Sequence, residues 1–333
     1  MVNQDFLYVD PSFEDIEGKI KIWYYSEEKN DGIPISFNEK KYFKIQKYTD
    51  RLELRTILDD FGLNFYSKGM VESIFSPTLP YHSIIFGILN ATPDSFYYKS
   101  RVDSGSVLPE FIKNDIKFID LGAESTRPGA NSVPWKEEIE RLENVIDRIA
   151  DEEVFISLDT KNIETAEYFI DRVDMINDVS GNANEEIPKL CAKFQKDYVL
   201  MHTRGTPKEM NKLNTYSDML GEISYFFFEN IRKIQKLGLS QDKLIIDPGV
   251  GFAKLRNQNW EIIRNCNSFR YGFRRMFGHS RKSFLGKKGT QPENKLIETL
   301  AVSDYLSKRG VEILRVHDPA ETLRLLDTLR RLS

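Results

Sequence analysis

From Ser83 onward, short apolar runs alternate with longer stretches in which apolar residues recur every three or four positions. This alternation is typical of a parallel β-sheet whose strands are joined by crossover helices. Each apolar run is rich in Ile, Val, Leu or Phe and precedes a turn-forming residue. The runs predict eight strands: SIIFGIL from Ser83, KFIDLG from Lys117, VFISLD from Val154, VDMIND from Val173, YVLMHT from Tyr198, KLIIDP from Lys243, FRRMFG from Phe273 and EILRVH from Glu312.

The longer stretches predict amphipathic helices between these strands. The helices are predicted to begin near Trp135, Glu164, Glu186, Thr215, Asn259, Glu293 and Ala320. Eight alternating units between residues 84 and 331 match a (β/α)8 TIM barrel, an α/β fold, in size and order. The alternative is an open doubly wound sheet. That fold usually has a glycine-rich phosphate loop after its first strand, and GILNATPDSF from Gly87 lacks the G-x-G-x-x-G pattern.

The first 80 residues have a different pattern. IKIWYYSEE from Ile20 and KKYFKIQKY from Lys40 predict a β-hairpin, and DRLELRTILDDFG from Asp50 predicts a helix. This segment contains no cluster of residues suited to catalysis. We therefore predict two units, an α+β extension over residues 1–80 that supports the barrel or forms an interface, and a barrel domain over residues 81–333.

Composition limits the partners and the location of the protein. Lys and Arg total 47 against 51 acidic residues, so the formal charge is −4 and general nucleic-acid binding is not expected. The longest apolar stretch near the N-terminus, IIFGIL from Ile84, is far too short to span a membrane. Cys191 and Cys266 are too few and too far apart for a disulfide framework. We expect a soluble cytoplasmic protein with free thiols and no membrane partner.

Polar residues suited to binding follow almost every predicted strand. In a barrel the C-terminal ends of all strands face one mouth, so these residues are expected to gather in space. Asp or Asn after a strand is also a common turn former or helix cap, but capping does not explain the cations at the same rim. The cations are Arg127, Lys254, Arg281, Lys282, Arg315 and His317. The sequence therefore predicts a binding site at the mouth.

Eight segments resemble, in order, the motifs of the dihydropteroate synthase family of pterin-binding enzymes. They are GILNATPDSF from Gly87, IDLGAESTRPGA from Ile119, SLDT from Ser157, INDVSG from Ile176, LMHTRGTP from Leu200, DPGVGFAK from Asp247, GHSRKSFLG from Gly278 and LRVHDPAETL from Leu314. The resemblance covers roughly residues 83–331 and leaves the first 80 residues unexplained. It implies that p-aminobenzoate displaces pyrophosphate from a 6-hydroxymethyl-7,8-dihydropterin diphosphate to give 7,8-dihydropteroate.

The resemblance also implies the roles of individual residues. The pterin positions match Asp159, Asn177, Met201, Asp247 and Lys282, where carboxylates accept the paired N–H donors of the ring. The diphosphate positions match Asn90, Arg127, Arg281, Arg315 and His317, and Asn90 also matches the position of a Mg²⁺ ligand. The p-aminobenzoate positions match Phe96, Thr126, Pro128, Phe252 and Ser283.

The same resemblance implies how the reaction is catalysed. In the family the C–O bond breaks ahead of amine attack, so leaving-group stabilisation and orientation replace a covalent nucleophile. The residues matched to this role are Asn90, Arg127, Lys282, Arg315 and His317. The family commonly forms homodimers through late barrel helices, and ENKLIETLAVSDYL from Glu293 is the matching segment here.

Three other functions are open at this point. A pterin-dependent methyltransferase shares the barrel and its acids, but it has no diphosphate to hold with the cations of SRKSF and RVHD. A non-catalytic pterin-binding paralogue or partner subunit is compatible with the altered loop YYKSRVDSG from Tyr97. A Schiff-base aldolase would use Lys254 or Lys282, for which the sequence shows no apolar pocket that lowers the pKa. We expect His202 to be a hydrogen-bonded strand-end residue, not a metal ligand.

Overall fold

Two groups of strands form in the computed structural model, a four-stranded antiparallel sheet and a closed eight-stranded barrel. The structure describes residues 5–10, 18–28, 32–37, 39–91, 111, 113–114, 116–123, 133–149, 152–181, 185–205, 209 and 212–333. Within these ranges, no helix combines the length and the apolar content that crossing a membrane requires.

The antiparallel sheet and two helices precede the barrel. The strands are β1 (Phe6–Val9), β2 (Ile20–Ser26), β3 (Ile33–Phe37) and β4 (Lys40–Thr49), and the helices are α1 (Arg51–Asp60) and α2 (Asn64–Phe75). Helix α1 begins after Asp50, whose carboxylate accepts a hydrogen bond from the Glu53 backbone N–H at 2.9 Å and so caps the helix. The sheet order is β1-β2-β4-β3.

This order corrects the predicted hairpin. Strands β2 and β4 do pair in antiparallel fashion, with Trp23 opposite Gln46, but β3 comes between them in the chain and forms the hairpin with β4. The sequence signal for β3 is weak because the strand has five residues and contains Pro34. Proline is tolerated there because β3 lies at the edge of the sheet.

The barrel strands are parallel and close on themselves. They are β5 (Ile84–Asn90), β6 (Phe118–Gly122), β7 (Phe155–Asp159), β8 (Met175–Asp178), β9 (Asp197–Met201), β10 (Leu244–Asp247), β11 (Arg274–Phe277) and β12 (Ile313–Val316). Strand β12 pairs with β5, with Leu314 opposite Ile85, which completes the ring. The predicted TIM barrel is therefore confirmed, and the open doubly wound sheet is excluded.

Helices lie between the strands, as the apolar periodicity predicted. They are α3 (Trp135–Ile149), α4 (Ile163–Phe169), α5 (Glu186–Phe194), α6 (Met219–Lys236), α7 (Arg256–Arg264), α8 (Leu296–Lys308) and α9 (Pro319–Leu332). In α3, Ile139, Leu142, Val145 and Ile149 recur at helical spacing and are all buried, so one stripe of this helix faces the core.

The interior of the barrel changes from apolar to polar along the strands. Its apolar layer contains Phe86, Met175, Val199, Ile245, Met276 and Ile313, with Phe118 and Phe155 packed against them. Side chains on one face of a strand recur every second residue. Two positions after these apolar residues come Asp120, Asn177, Asp247 and Arg315. The polar layer therefore lies toward the C-terminal ends of the strands, which form the mouth of the barrel.

The N-terminal sheet packs against α6. The rings of Phe6 and Tyr225 meet edge to face, with centroids 5.4 Å apart, and Arg232 of α6 donates to the backbone carbonyls of Asp5 and Phe61. Lys44 and Tyr25 of the sheet both bind the Asp218 carboxylate at the start of α6. The extension is thus joined to the barrel by apolar packing and by buried polar contacts.

Candidate active site

Arg315 lies at the centre of the mouth between two carboxylates. Its Nε donates to Asp120 and its Nη2 donates to Asp159, which come from strands β6 and β7. Asp120 also accepts from Ser157 Oγ at 2.5 Å and from Asn177 Nδ2 at 3.2 Å. Two acids and two neutral donors therefore fix the orientation of one guanidinium. The predicted site residues Asp159, Asn177 and Arg315 are brought together in this cluster.

Asp120 is a site residue that the sequence reasoning missed. It is fully buried, yet it holds the guanidinium of Arg315 from 195 residues away in the chain. A signal was present, because Asp120 is the only charged residue in the strand FIDLG. A carboxylate inside an otherwise apolar barrel strand needs a buried partner, since an unpaired buried charge is strongly unfavourable.

The charges around Arg315 keep it protonated. Burial by itself lowers the pKa of the guanidinium, but the carboxylates of Asp120 and Asp159 outweigh burial and raise the pKa above its ordinary value. Asp247 contributes in the same direction. The cluster therefore presents a permanent cation at the mouth.

Asp247 and Lys282 are two further charged residues of the predicted site, and each influences the pKa of the other. Asp247 ends β10 and accepts a hydrogen bond from the Gly249 backbone N–H at 2.7 Å. Burial raises the pKa of Asp247, while Lys282 opposes this shift. Burial lowers the pKa of Lys282 to about 8, while Asp247 opposes that shift. Burial thus favours the neutral form of each group, and the opposite charge of the other group favours its charged form.

The Lys282 side chain lies on an aromatic ring. Its Nζ is 4.5 Å from the centroid of Phe252 and donates to the Val250 carbonyl. Gly251 has a φ of +87°, and a Cβ there would lie 2.8 Å from the Cδ of Lys282. Glycine therefore satisfies the backbone conformation and also leaves room for the lysine. Phe252 packs with Met201 and Ala253, so this side of the mouth has an apolar wall.

The buried His202 and the partly buried Lys254 form a pair beside this wall. Lys254 Nζ lies 3.0 Å from His202 Nδ1 and donates to the carbonyls of Gly249 and Phe252 at 3.0 and 2.9 Å. Burial lowers the pKa of both residues well below the usual value. Lys254 lowers the pKa of His202 further, whereas for Lys254 the Asp247 carboxylate opposes the shift and Lys282 adds to it. The sequence argument that Lys254 and Lys282 lack an environment that lowers the pKa is therefore wrong.

Arg281, which the resemblance assigns to the diphosphate, has its guanidinium held inside the protein. Its guanidinium is buried and pairs with Asp318, with Nε 2.8 Å from one carboxylate oxygen and Nη2 bound to the other. The Arg281 backbone N–H donates to Thr299 Oγ1 at 3.1 Å. These contacts anchor the loop that follows β11 to α8 and to the start of α9. The guanidinium is thus engaged inside the protein.

The other predicted residues have various positions around the mouth. Asn90 ends β5 and is partly buried, and Ser283 is exposed at the rim. His317 binds Ser280 Oγ through both its backbone N–H and its Nδ1, each at 3.1 Å. Four predicted site residues, Phe96, Thr126, Arg127 and Pro128, lie outside the described residues.

The donor set fits a weakly coordinated metal ion, not a dedicated metal cage. Among the described residues, no three His, Cys, Asp or Glu side chains come together in a group that could hold a metal. The neighbour of His202 is Lys254, whose Nζ lies 3.0 Å from the histidine Nδ1. The Asn90 amide at the mouth suits Mg²⁺, an ion that takes most of its ligands from phosphate and water.

The sequence of the barrel matches a known family. A family model described as pterin binding enzyme covers residues 86–317. The chain belongs to the pterin-binding enzyme family. The matched range contains the Asp120–Arg315 cluster, Asp247 with Lys282, and the His202–Lys254 pair, so all three parts of the mouth lie within the residues that the family model covers.

Similar proteins extend this result. A dihydropteroate synthase of Synechocystis sp. is 36% identical over 283 residues, which cover 78% of this chain and 98% of that protein. Dihydropteroate synthase from Anaplasma phagocytophilum with bound 6-hydroxymethylpterin-monophosphate has a TM-score of 0.68 and 29% identity, covering 76% of this chain and 100% of that chain. The Xanthomonas albilineans enzyme with 4-aminobenzoic acid has a TM-score of 0.68 and 29% identity, covering 75% and 93%.

Proposed function

We propose that this protein is a dihydropteroate synthase. It condenses 6-hydroxymethyl-7,8-dihydropterin diphosphate with p-aminobenzoate and releases pyrophosphate, as a transferase of folate biosynthesis. The observation that carries the proposal is the arrangement of Arg315 between Asp120 and Asp159, with Asn177 in the same cluster and Asp247 charge-coupled to both Arg315 and Lys282. Acids and amides for a pterin and cations for a departing anion thus share one mouth.

The pterin is held by the polar layer of the barrel. A 2-amino-pyrimidinone edge has adjacent N–H donors, and the Asp247 carboxylate accepts them in pairs. Asn177 and Asp159 serve the remaining polar edge of the ring. Lys282, when protonated, donates to the ring carbonyl, and Met201 covers a face of the heterocycle. Because these groups are buried, an analogue that lacks a donor leaves an acceptor unpaired and binds weakly.

The reaction transfers a carbon from oxygen to nitrogen. The bond between the exocyclic methylene and the diphosphate oxygen breaks, and the leaving diphosphate takes the electron pair. The arylamine nitrogen donates its lone pair to the methylene and loses one proton to solvent. Arg315 and His317 stabilise the negative charge that grows on the diphosphate, and we assign Arg127 the same role. No covalent enzyme intermediate is required.

Arg315 has a donor available for this task. Its Nε and Nη2 are engaged by the two carboxylates, and no group among the described residues accepts a hydrogen bond from Nη1. A guanidinium has five N–H donors in a fixed plane, so the carboxylates orient the remaining ones. The acids therefore position the cation and do not remove its charge.

Magnesium is part of the proposal. Asn90 would supply the protein ligand, with diphosphate and water completing the coordination. The ion would neutralise charge on the diphosphate. Because one amide is a weak site by itself, the protein's own contribution is to hold the diphosphate with Arg315 and His317 beside Asn90.

The arylamine is proposed to bind on the Phe252 side of the mouth. Phe252 and the alkyl part of Lys282 supply a flat surface for the benzene ring, and Ser283 at the rim donates to the carboxylate. Phe96, Thr126 and Pro128 complete this subsite in our assignment.

We also propose that the protein is cytoplasmic, which agrees with its two buried free cysteines, and that it forms a homodimer through α8.

The function is tested by pyrophosphate release. Purified full-length protein with Mg²⁺ and pterin diphosphate is expected to release pyrophosphate only after p-aminobenzoate is added, with dihydropteroate formed in equal amount. Folded protein that binds the pterin diphosphate without turnover would instead be a non-catalytic paralogue. Methyl-tetrahydrofolate binding that is insensitive to pyrophosphate would identify a methyltransferase.

A further inference from the structure

A basic pocket lies next to the proposed arylamine subsite. It has a volume of about 740 Å³, and its lining includes Arg256, Ser283, Lys287, Lys288, Thr290 and Lys295. Four of the described lining residues are cations, and none is an acid. Pockets of this size hold small organic ligands. The charge of the lining favours an anion as the occupant.

Two cations of this basic pocket, Arg256 and Lys295, repel each other. Lys295 is 5% exposed, and its pKa is lowered by burial and by Arg256, while Glu298 opposes the shift. Bringing two cations together at a partly desolvated position is unfavourable unless an anion compensates them. Such an arrangement is typical of a binding site, because perturbed cations gather where a ligand supplies the missing charge.

Two helices add to the positive potential. Helix α7 begins at Arg256 and α8 begins directly after Lys295, so both N-terminal ends lie at the basic pocket. The N-terminus of a helix carries about half a positive charge and unpaired N–H groups. In (β/α)8 barrels the loop after the seventh strand frequently takes part in phosphate binding, and β11 is the seventh barrel strand here.

The basic pocket is separate from the proposed diphosphate site but touches the same loop. Arg315 and His317 are not among its lining residues, whereas Ser283 is shared with the arylamine subsite. Lys295 Nζ donates to the backbone carbonyl of Lys282 at 3.1 Å. An anion that draws Lys295 toward itself therefore acts on the backbone of Lys282.

We propose that the basic pocket is a second anion-binding site, which takes a multivalent carboxylate or phosphate. Two sources supply this chemistry, namely an acidic extension of the arylamine acceptor, reaching past Ser283, and a free anion. Binding is independent of the proposed function, and only its effect on turnover depends on that function.

Binding is tested by calorimetric titration of the full-length protein with citrate, and separately with inorganic diphosphate, at low ionic strength, where charge interactions are least screened. The double variant Lys287→Gln/Lys288→Gln is expected to weaken citrate binding at least tenfold, while Arg315→Ala leaves it within twofold. Diphosphate is expected to occupy two sites, one lost in each variant. Lys40→Gln/Lys41→Gln, an adjacent lysine pair on the N-terminal sheet, is the control with the same change in net charge.

The opposite pattern overturns the proposal. Citrate that does not bind, that binds equally to the Lys287/Lys288 variant, or that loses its site only in Arg315→Ala excludes a second anion site. These measurements need no turnover, so they do not fail if the protein is not a synthase. The two lysines are exposed, and unchanged melting of the double variant checks its fold.

Kinetics then assign the source of the anion. Substitution of Lys287 and Lys288 is expected to leave the KM for p-aminobenzoate within twofold. If the acceptor's acidic extension occupies the basic pocket, the KM for p-aminobenzoyl-glutamate rises about tenfold in the same variant. If the substitutions leave the KM unchanged for p-aminobenzoyl-glutamate as well as for p-aminobenzoate, and citrate binding is lost, the result supports a free anion that acts through Lys295.

Discussion

At the scale of single residues, the two cations Arg315 and Lys282 at the mouth differ in how far neighbouring carboxylates offset their burial. Arg315 is paired with two carboxylates, so its positive charge is permanent. Burial disfavours the charged form of Lys282 and lowers its pKa to about 8. The first residue is suited to a leaving anion, and the second is suited to a contact that depends on protonation. Two cations at one rim thus have different properties because of their surroundings.

Asp120→Asn is expected to lower kcat/KM for the pterin diphosphate about 10- to 100-fold. The amide removes one charge from the Arg315 cluster and can turn a donor toward the guanidinium, so Arg315 loses its orientation. The matched control is Asp178→Asn, another fully buried acid of the barrel, which accepts from Tyr198 at 3.0 Å. Steady-state kinetics that show equal losses in both variants would reduce Asp120 to a structural residue.

The lowered pKa of Lys282 predicts that kcat/KM depends on pH. Below pH 8 the ammonium is charged and donates to the pterin, and above pH 8 the charge is lost, so kcat/KM falls as pH rises through about 8. Lys282→Arg keeps the charge throughout this range because arginine does not deprotonate. The pH profile of this variant is expected to lack the limb near pH 8. A limb that persists in the arginine variant belongs to a different group.

At the scale of elements, the loop between β10 and α7 and the start of α6 have several tertiary contacts. Lys254 joins this loop to His202 after β9, and Tyr216, just before α6, donates to the Ala253 carbonyl at 3.1 Å. At Gly249, which has a φ of +69°, a Cβ would lie only 1.9 Å from the His202 carbonyl oxygen. The close approach of the ends of β9 and β10 therefore determines the position of the wall that carries Phe252.

Asp218→Ala is expected to lower the free energy of unfolding by about 2–3 kcal/mol, because it removes the partner of a largely buried Lys44 and a helix cap. The KM for the pterin is expected to change less than twofold. The control, Glu186→Gln, removes the exposed Lys189 pair and is expected to cost at most about 0.5 kcal/mol. Chemical denaturation measures both, and equal losses would refute a special role for Asp218.

At the scale of the whole molecule, the extension covers an apolar face of α6. Phe228 is fully buried and meets Phe61 of the extension at a centroid distance of 6.0 Å, while Tyr225 meets Phe6. Burial of aromatic side chains is among the largest contributions to packing. The extension therefore covers part of the barrel wall, and we expect these contacts to stabilise the barrel.

Deletion of residues 1–80 is expected to leave a barrel that melts at lower temperature and binds a hydrophobic dye, because the α6 face becomes exposed. Thermal unfolding and dye fluorescence of the deletion protein and the full chain measure the two effects. A deletion protein with unchanged melting temperature and no dye binding would show that the contact with α6 is energetically minor.

The local pattern of residues was sufficient for the barrel and for much of its mouth. Alternating strands and helices, each recognisable within about ten residues, led to the correct fold class, because the period of burial is a local property. The strand-end positions of Asp159, Asn177, Asp247 and Arg315 could be read in the same way. Strand β3 was missed because its proline and its short length weaken the local signal.

The partners of these side chains were decided by the tertiary structure alone. Asp120 and Arg315 meet only because β12 closes the barrel against β5 and brings residues far apart in the chain to one layer. Arg281 has the same kind of sequence position as Lys282, yet it turns to Asp318, whereas Lys282 lies on Phe252. The sequence thus determined which residues stand at the mouth, whereas register and closure determined their contacts, since these depend on distances between strands that no local pattern contains.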